Sequence, residues 1–179
     1  MSSDLLIKSK EVLNSIWGYN SFREGQEEAI QSVLEGKDTL VLFPTGGGKS
    51  LCYQIPAMVL DGFTLVISPL VALMQDQVDQ LNRKGIRAAF INSTLSLPEV
   101  EQRLVNARNG MYRMLYVSPE RLQSERWINE LPSMNIGLVA VDEAHCVSEW
   151  GHDFRPDYRR IRENLSDLPK ETPWIALTA

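Results

Sequence analysis

The chain has 179 residues, 44% apolar and 23% charged, the size and balance of one globular domain that can bury a core without staples. Its 18 Lys and Arg against 23 Asp and Glu leave a formal net charge of −5, which argues against a nonspecific polyanion binder and leaves open only a local basic patch. Cys52 and Cys146 stand far apart and outside any CxxC pair, which excludes a disulfide or zinc framework and suits a reducing cytoplasm; no stretch has the form of a signal peptide or a membrane span.

Along the chain, short apolar runs alternate with helical stripes. Ala29, Ile30, Val33 and Leu34 recur at helix spacing and stop at Gly36. Residues 38–43 then form the first run rich in Val, Ile and Leu, followed by 63–68, 87–91, 113–117, 137–142 and 173–177. Nearly continuous apolarity, instead of strict alternation, predicts parallel strands covered on both faces. Leu70, Leu73, Met74, Val78 and Leu81 read as a second helical stripe, with Ser68 as its N-cap, Pro69 in the first turn and Gly85 closing it. Val100, Leu104 and Ala107 follow Pro98 and end at Gly110; Tyr158, Ile161 and Leu165 follow Pro156 in the same way. Strand, helix, strand, repeated, predicts an α/β fold: an open, mostly parallel sheet flanked by helices, with right-handed crossovers.

The first strand runs into "FPTGGGKS", three glycines ahead of a cation and a hydroxyl. Glycine is costly to order, so such a run belongs where another group approaches the backbone closely. Between a strand and a helix it reads as a phosphate-binding loop. The N–H groups of Thr45, Gly46, Gly47 and Gly48 wrap a phosphate, Lys49 neutralises the β- and γ-phosphates, and the Ser50 hydroxyl ligates Mg²⁺. The alternative is a flexible turn with a surface lysine. The usual spacing would place a glycine at position 43, where this chain has Phe43.

"LVAVDEAHCVSEW" ends another apolar strand in Asp142-Glu143-Ala144-His145. Strand C-termini are where ligands sit in doubly wound sheets. Asp142 is placed to hold Mg²⁺, and Glu143 to orient and deprotonate an attacking water. The alternative for Asp142 is an ordinary helix cap.

These segments together resemble the RecQ family of superfamily 2 DNA helicases, and specifically its first RecA-like lobe. "FPTGGGKS" looks like motif I, "SPLVALMQDQ" like motif Ia, "YVSPERL" like motif Ib and "DEAH" like motif II, while "ALTA" opens motif III. "GYNSFREGQ" looks like the segment that recognises the base, which implies that Tyr19, Arg23 and Gln26 contact adenine. Without the resemblance, Tyr19 reads as packing beneath the first helix and Gln26 as an ordinary solvated residue. "SEWGHDFRPDY" resembles the aromatic-rich loop of this family. Two departures stand out: Glu24 where proline is common, and Glu149 where glutamine is common.

That loop interleaves Trp150, Phe154 and Tyr158 with His152, Arg155, Arg159 and Arg160, the mixture of stacking faces and guanidinium groups that single-stranded nucleic acid binding uses. Trp150, Phe154 and Arg155 are the expected DNA contacts. Tyr158 falls on the apolar stripe, and Arg159 and Arg160 fit a solvated helix face. The serine-proline starts at Ser68 and Ser118 offer backbone N–H groups and hydroxyls to strand phosphates. The resemblance implies an ATP- and Mg²⁺-dependent 3′-to-5′ DNA helicase acting on single-stranded and forked DNA in the cytoplasm. Residues 1–179 are then a single lobe that ends inside motif III, its second RecA-like lobe lying elsewhere in the parent. Such a lobe alone is expected to bind nucleotide weakly, hydrolyse little and unwind nothing, because the arginine finger comes from the second lobe. Two rivals remain: a nucleic-acid-binding module without turnover, and a small-molecule phosphotransferase, for which the chain offers no Arg-rich lid.

Overall fold

In the computed structural model, which describes residues 1–44, 48–151 and 153–179, the six apolar runs become six strands. They are β1 (Thr39–Leu42), β2 (Phe63–Ile67), β3 (Ala88–Ile91), β4 (Met114–Val117), β5 (Ile136–Val141) and β6 (Trp174–Thr178). Every pairing is parallel, and the strands lie in the order β1-β6-β5-β2-β4-β3. Parallel neighbours need a crossover between them, and the helical stripes supply it. The helices are α1 (Ser2–Val12), α2 (Gln26–Leu34), α3 (Leu51–Val59), α4 (Val71–Arg83), α5 (Leu97–Arg108), α6 (Glu125–Glu130) and α7 (Ile161–Asn164). None of the described helices is long and apolar enough to cross a membrane.

Alternation along each strand divides the core between two faces. On one face Val66, Tyr116 and Ala140 meet Val33 of α2, Cys52 and Tyr53 of α3, and Met74 and Val78 of α4. On the other, Leu65, Ile67, Leu115 and Val139 meet Val100 and Leu104 of α5, Trp127 of α6, and Tyr158, Ile161 and Leu165. Leu13 ties the N-terminal helix to Ile30, Leu34 and Ile55. The buried hydroxyls on the first face satisfy one another: Tyr53 and Tyr116 lie 3.2 Å apart, and the Gln54 amide donates to the Tyr116 oxygen at 3.2 Å.

Three expectations need correction. β2, β3 and β4 are buried throughout, but β1 is an edge strand, and Leu40 and Leu42 on one of its faces are 64% and 66% exposed while Val41 is buried. A run of apolar residues therefore did not require cover on both sides. α4 begins at Val71 after Leu70, not at Ser68, whose Oγ accepts the Leu70 N–H at 3.2 Å in the turn before the helix. The last stripe is no continuous helix: a tight turn over Pro156–Arg160 passes into the four-residue α7. That geometry carries the Tyr158 phenol to the carbonyl of Asp142, to which it donates at 2.7 Å.

Candidate active site

β1 delivers the chain to the C-terminal edge of the sheet at Phe43 and Pro44. Thr45, Gly46 and Gly47 lie outside the described residues. Gly48 follows with φ +76°, and a β-carbon there would run into the Gln26 amide nitrogen, so both backbone conformation and space demand glycine. Lys49 and Ser50 make the turn into α3; the Ser50 carbonyl accepts the Gln54 N–H at 2.9 Å, and its hydroxyl makes no capping bond.

The segment before α2 folds against this loop. Tyr19 is 50% exposed, so it does not pack beneath the first helix. Gln26 is buried, contrary to its reading as a solvated residue: its amide nitrogen donates to the Gly48 carbonyl at 3.1 Å and its oxygen accepts the Arg23 N–H at 2.7 Å. One side chain thereby links the two segments expected to hold base and phosphate. Phe43 adds a second link. A β-carbon on Gly25, which has φ +84°, would sit 2.7 Å from the Phe43 ring, so the aromatic that displaces the usual glycine packs against the base segment.

Asp142 follows β5, and its N–H donates to the Ile67 carbonyl at 2.9 Å. Its Oδ1 accepts the N–H of Glu143 at 2.9 Å. Glu143 stands at φ 53°, ψ 45°, the one non-glycine residue with positive φ among those described. Strain of this kind persists where the surroundings fix it. Burial pushes the Asp142 carboxyl above the usual range; the Glu143 N–H opposes this, the Glu143 charge adds to it, and Lys49 and His145 pull it back. His145 joins three segments: Nδ1 meets the Thr178 hydroxyl at 2.8 Å, while Nε2 lies 3.5 Å from Glu143 and 3.3 Å from Asp153.

All of this opens on one cavity of about 770 Å³, lined by Tyr19, Arg23, Gln26, Gly48, Lys49, Ser50, Asp142 and Glu143. Its opposite wall is α4, which presents Leu70, Leu73, Gln77, Gln80 and Lys84. Leu70 and Leu73 are 36% and 49% exposed, so they line the cavity and are not core, as their apolar spacing suggested. The 70-73-77-80-84 spacing is itself a helical stripe and was readable as a second face. At the far end the Lys84 ammonium lies 5.9 Å from the Trp17 ring centroid.

The aromatic-rich loop follows the carboxylates in the chain and, among the described residues, contributes none of the cavity's lining. Trp150 is 96% exposed, Arg155 is exposed and Phe154 half-buried; His152 lies outside the described residues. Glu149 is ion-paired with Arg159, so its charge is already answered. Tyr158 is core, and burial holds its phenol protonated as the donor to Asp142. The serine-proline starts behave otherwise than expected. Ser68 and Ser118 are both buried, and their N–H groups extend the sheet by donating to Val117 and Ile91 at 3.1 and 3.3 Å. Both serine N–H groups are thereby already engaged within the sheet, and the Ser118 Oγ is buried without a hydrogen-bond partner among the described residues.

The donor set suits Mg²⁺ in a substrate complex: one carboxylate and one uncommitted hydroxyl, with phosphates and waters to complete an octahedron. No group of three or more His, Cys, Asp or Glu among the described residues would hold a metal without such help. Because burial raises the Asp142 pKa, the folded chain holds that proton more tightly than the unfolded one. The associated stability is full below the usual carboxylate range and is lost as pH rises through the raised value. Asp142→Asn keeps the acceptor for Glu143 and removes the buried charge. It is expected to raise the melting temperature of the nucleotide-free chain at neutral pH by about 2–4 °C, the shift that ~1 kcal/mol makes at this size. At pH 3 the two proteins should melt together, and Mg²⁺-ATP should stabilise only the parent. Thermal denaturation at the two pH values measures this.

Comparison with known proteins agrees with the geometry. The DEAD/DEAH box helicase family matches residues 23–179. The chain is 49% identical over 176 residues to the ATP-dependent DNA helicase RecQ of Bacillus subtilis, covering 98% of this chain and 30% of that protein. It is 49% identical over 168 residues to RecQ of Haemophilus influenzae, and 45% identical over 176 residues to the helicase SGS1 of Saccharomyces cerevisiae, covering 27% and 12% of those proteins and 94% and 93% of this chain. The chain thus spans less than a third of the length of these relatives. Among solved structures, the DUF1998 helicase MrfA bound to DNA and AMPPNP superposes with a TM-score of 0.72 at 22% identity, covering 96% of this chain and 26% of that one. A hypothetical ATP-dependent RNA helicase from Sulfolobus tokodaii gives 0.70 at 22% identity, covering 98% and 50%. At such identities these two likenesses speak to the fold: a parallel sheet with flanking helices, as in helicase lobes.

Proposed function

The chain belongs to the DEAD/DEAH box helicase family, and from that premise we propose that it is the nucleotide-binding motor lobe of an ATP-dependent 3′-to-5′ DNA helicase of the RecQ type. The observation that carries the reading is the large cavity onto which Lys49, Ser50, Asp142 and Glu143 converge with Tyr19, Arg23 and Gln26.

Each residue has a distinct task. Lys49, with the backbone of the glycine loop, neutralises the β- and γ-phosphates of ATP. Ser50 and Asp142 hold Mg²⁺, which supplies charge to offset that developing on the phosphates. Glu143 orients the attacking water and takes its proton. Tyr19 offers a face to the base, with Arg23 beside it. In the resting arrangement both ends of the Gln26 amide are engaged, so it meets adenine only by exchanging one of those bonds.

Trp150, Phe154 and Arg155 contact single-stranded DNA, and forked DNA where the parent unwinds it, in concert with a second RecA-like lobe. Such work belongs in the compartment that holds the DNA, the cytoplasm of a bacterium or the nucleus of a eukaryote. The Tyr158 bond to Asp142 and the His145 contacts to Glu143 and Asp153 support a mechanical link from loop to carboxylates. Linked sites bias one another equally. Titrating ATP with and without saturating single-stranded DNA tests this: unequal affinities fit the motor lobe, whereas an affinity indifferent to DNA would favour a phosphotransferase or an uncoupled binding module.

A further inference from the structure

A second cavity, of about 240 Å³, opens at the opposite pole of the sheet, where β2, β3 and β4 begin, and three arginines line it: Arg87, Arg108 and Arg113. The register that pairs Ala88 with Met114 sets Arg87 and Arg113 side by side on neighbouring strands, and the Arg113 N–H donates to the Arg87 carbonyl at 2.7 Å. Like charges opposite each other on adjacent strands repel. Arg108 joins them from the last turn of α5.

Fold requirements account for only part of this. One Arg113 nitrogen donates to the carbonyls of Leu60 and Gly62, at 3.2 Å each, so this side chain secures the end of α3 and the turn before β2. Arg108 shares an ion pair with Glu130 at 3.1 Å. Arg87 is exposed and has no side-chain partner among the described residues. The cluster therefore carries three guanidinium groups against one paired carboxylate, within a chain whose net charge is −5. Two neutral donors face the same space. The Tyr112 oxygen accepts from Asn106 at 3.0 Å, which leaves its own proton to give, and the Asn135 amide lies on the rim.

We propose that this cavity is an anion site that takes one phosphate group. Guanidinium forks match the oxygens of a phosphate and gain charge-assisted hydrogen bonds that water-exposed arginines lack. The volume lies below the roughly 300–1,000 Å³ of pockets that enclose whole organic ligands, so a single tetrahedral group fits better than a nucleotide. Strand length alone places it at least about 15 Å from the glycine loop, and the loop follows β1, several strands away across the sheet, so it is distinct from the site for ATP. The phosphate comes either from free inorganic phosphate or from the terminal phosphate of an oligonucleotide.

Backbone amide NMR of the chain, titrated with inorganic phosphate in chloride-matched buffer, tests this. The amides of Gly62, Gly110 and Asn135 report on the cavity, and those of Gly48 and Lys49 on the glycine loop. Saturable shifts at the first set are expected, and Arg87→Gln, which removes no contact of the fold, should weaken them about tenfold, the effect of one charge-assisted bond. A second arm compares a 5′-phosphorylated oligonucleotide with the same strand lacking the phosphate. Tighter binding than inorganic phosphate, dependent on the end group, identifies a nucleic-acid end; weaker binding identifies the free anion. Shifts confined to Gly48 and Lys49, shifts reproduced by sodium chloride, or a cavity response unchanged in R87Q would each overturn the proposal.

Discussion

Glu143→Gln is expected to lower ATP turnover by about 10²–10⁴-fold, the usual worth of a positioned general base, while Mg²⁺-ATP stays bound. The two carboxylates sit on different backbone conformations. Asp142 follows β5 directly and its Oδ1 accepts the Glu143 N–H, whereas Glu143 stands in a left-handed conformation. Glutamine preserves the size and the backbone turn but accepts no proton. His145, 3.5 Å from the Glu143 carboxylate, loses an ionic neighbour in the variant and keeps its bond to Thr178, so the local frame should survive. Single-turnover phosphate release, in a protein of the relatives' full length, measures the first effect and equilibrium nucleotide titration the second. Normal turnover would remove Glu143 from the catalytic set.

The second large effect concerns communication. Trp150→Ala with Phe154→Ala should leave basal nucleotide affinity unchanged and reduce DNA stimulation of ATP hydrolysis by about 5–150-fold, a coupling of ~1–3 kcal/mol. Trp150 is 96% exposed, so its removal costs the core nothing, and Tyr158, which joins the loop to Asp142, is left in place. The variant thus removes the stacking faces and keeps the lever. Undiminished stimulation would make the loop a strut that happens to be aromatic. Loss of nucleotide affinity as well would mean that the substitution had disturbed the carboxylate turn itself.

Much of this was legible in the sequence, for identifiable reasons. Buried parallel strands need continuous Val, Ile and Leu, so all six were readable as runs, and the glycine loop and Asp142-Glu143 follow two of them at the edge where ligands sit. Strand order was not readable, because nothing local distinguishes the run at 39–42 as an edge; Leu40 and Leu42 are as apolar as any core pair yet stand exposed. Gln26 and Ser118 hid for the complementary reason. Polar side chains suggest solvent, but both are buried, Gln26 with hydrogen bonds at both ends of its amide. Leu70 and Leu73 show how one helix can carry two stripes one residue out of phase, only one of which enters the core. Phe43, an anomaly against the usual loop spacing, became intelligible once Gly25 was seen against its ring.

In the proposed complex the Lys49 end of the large cavity holds the phosphates and the Tyr19 end the base. Titrating the chain and its Lys49→Ala variant with ATP and with adenosine tests it most directly. The lost ammonium would face only the phosphates, so ATP affinity should fall about 10–100-fold, as for a charge-assisted contact, with adenosine affinity unchanged. Equal weakening of both ligands, or of neither, would contradict the assignment of this loop to the triphosphate.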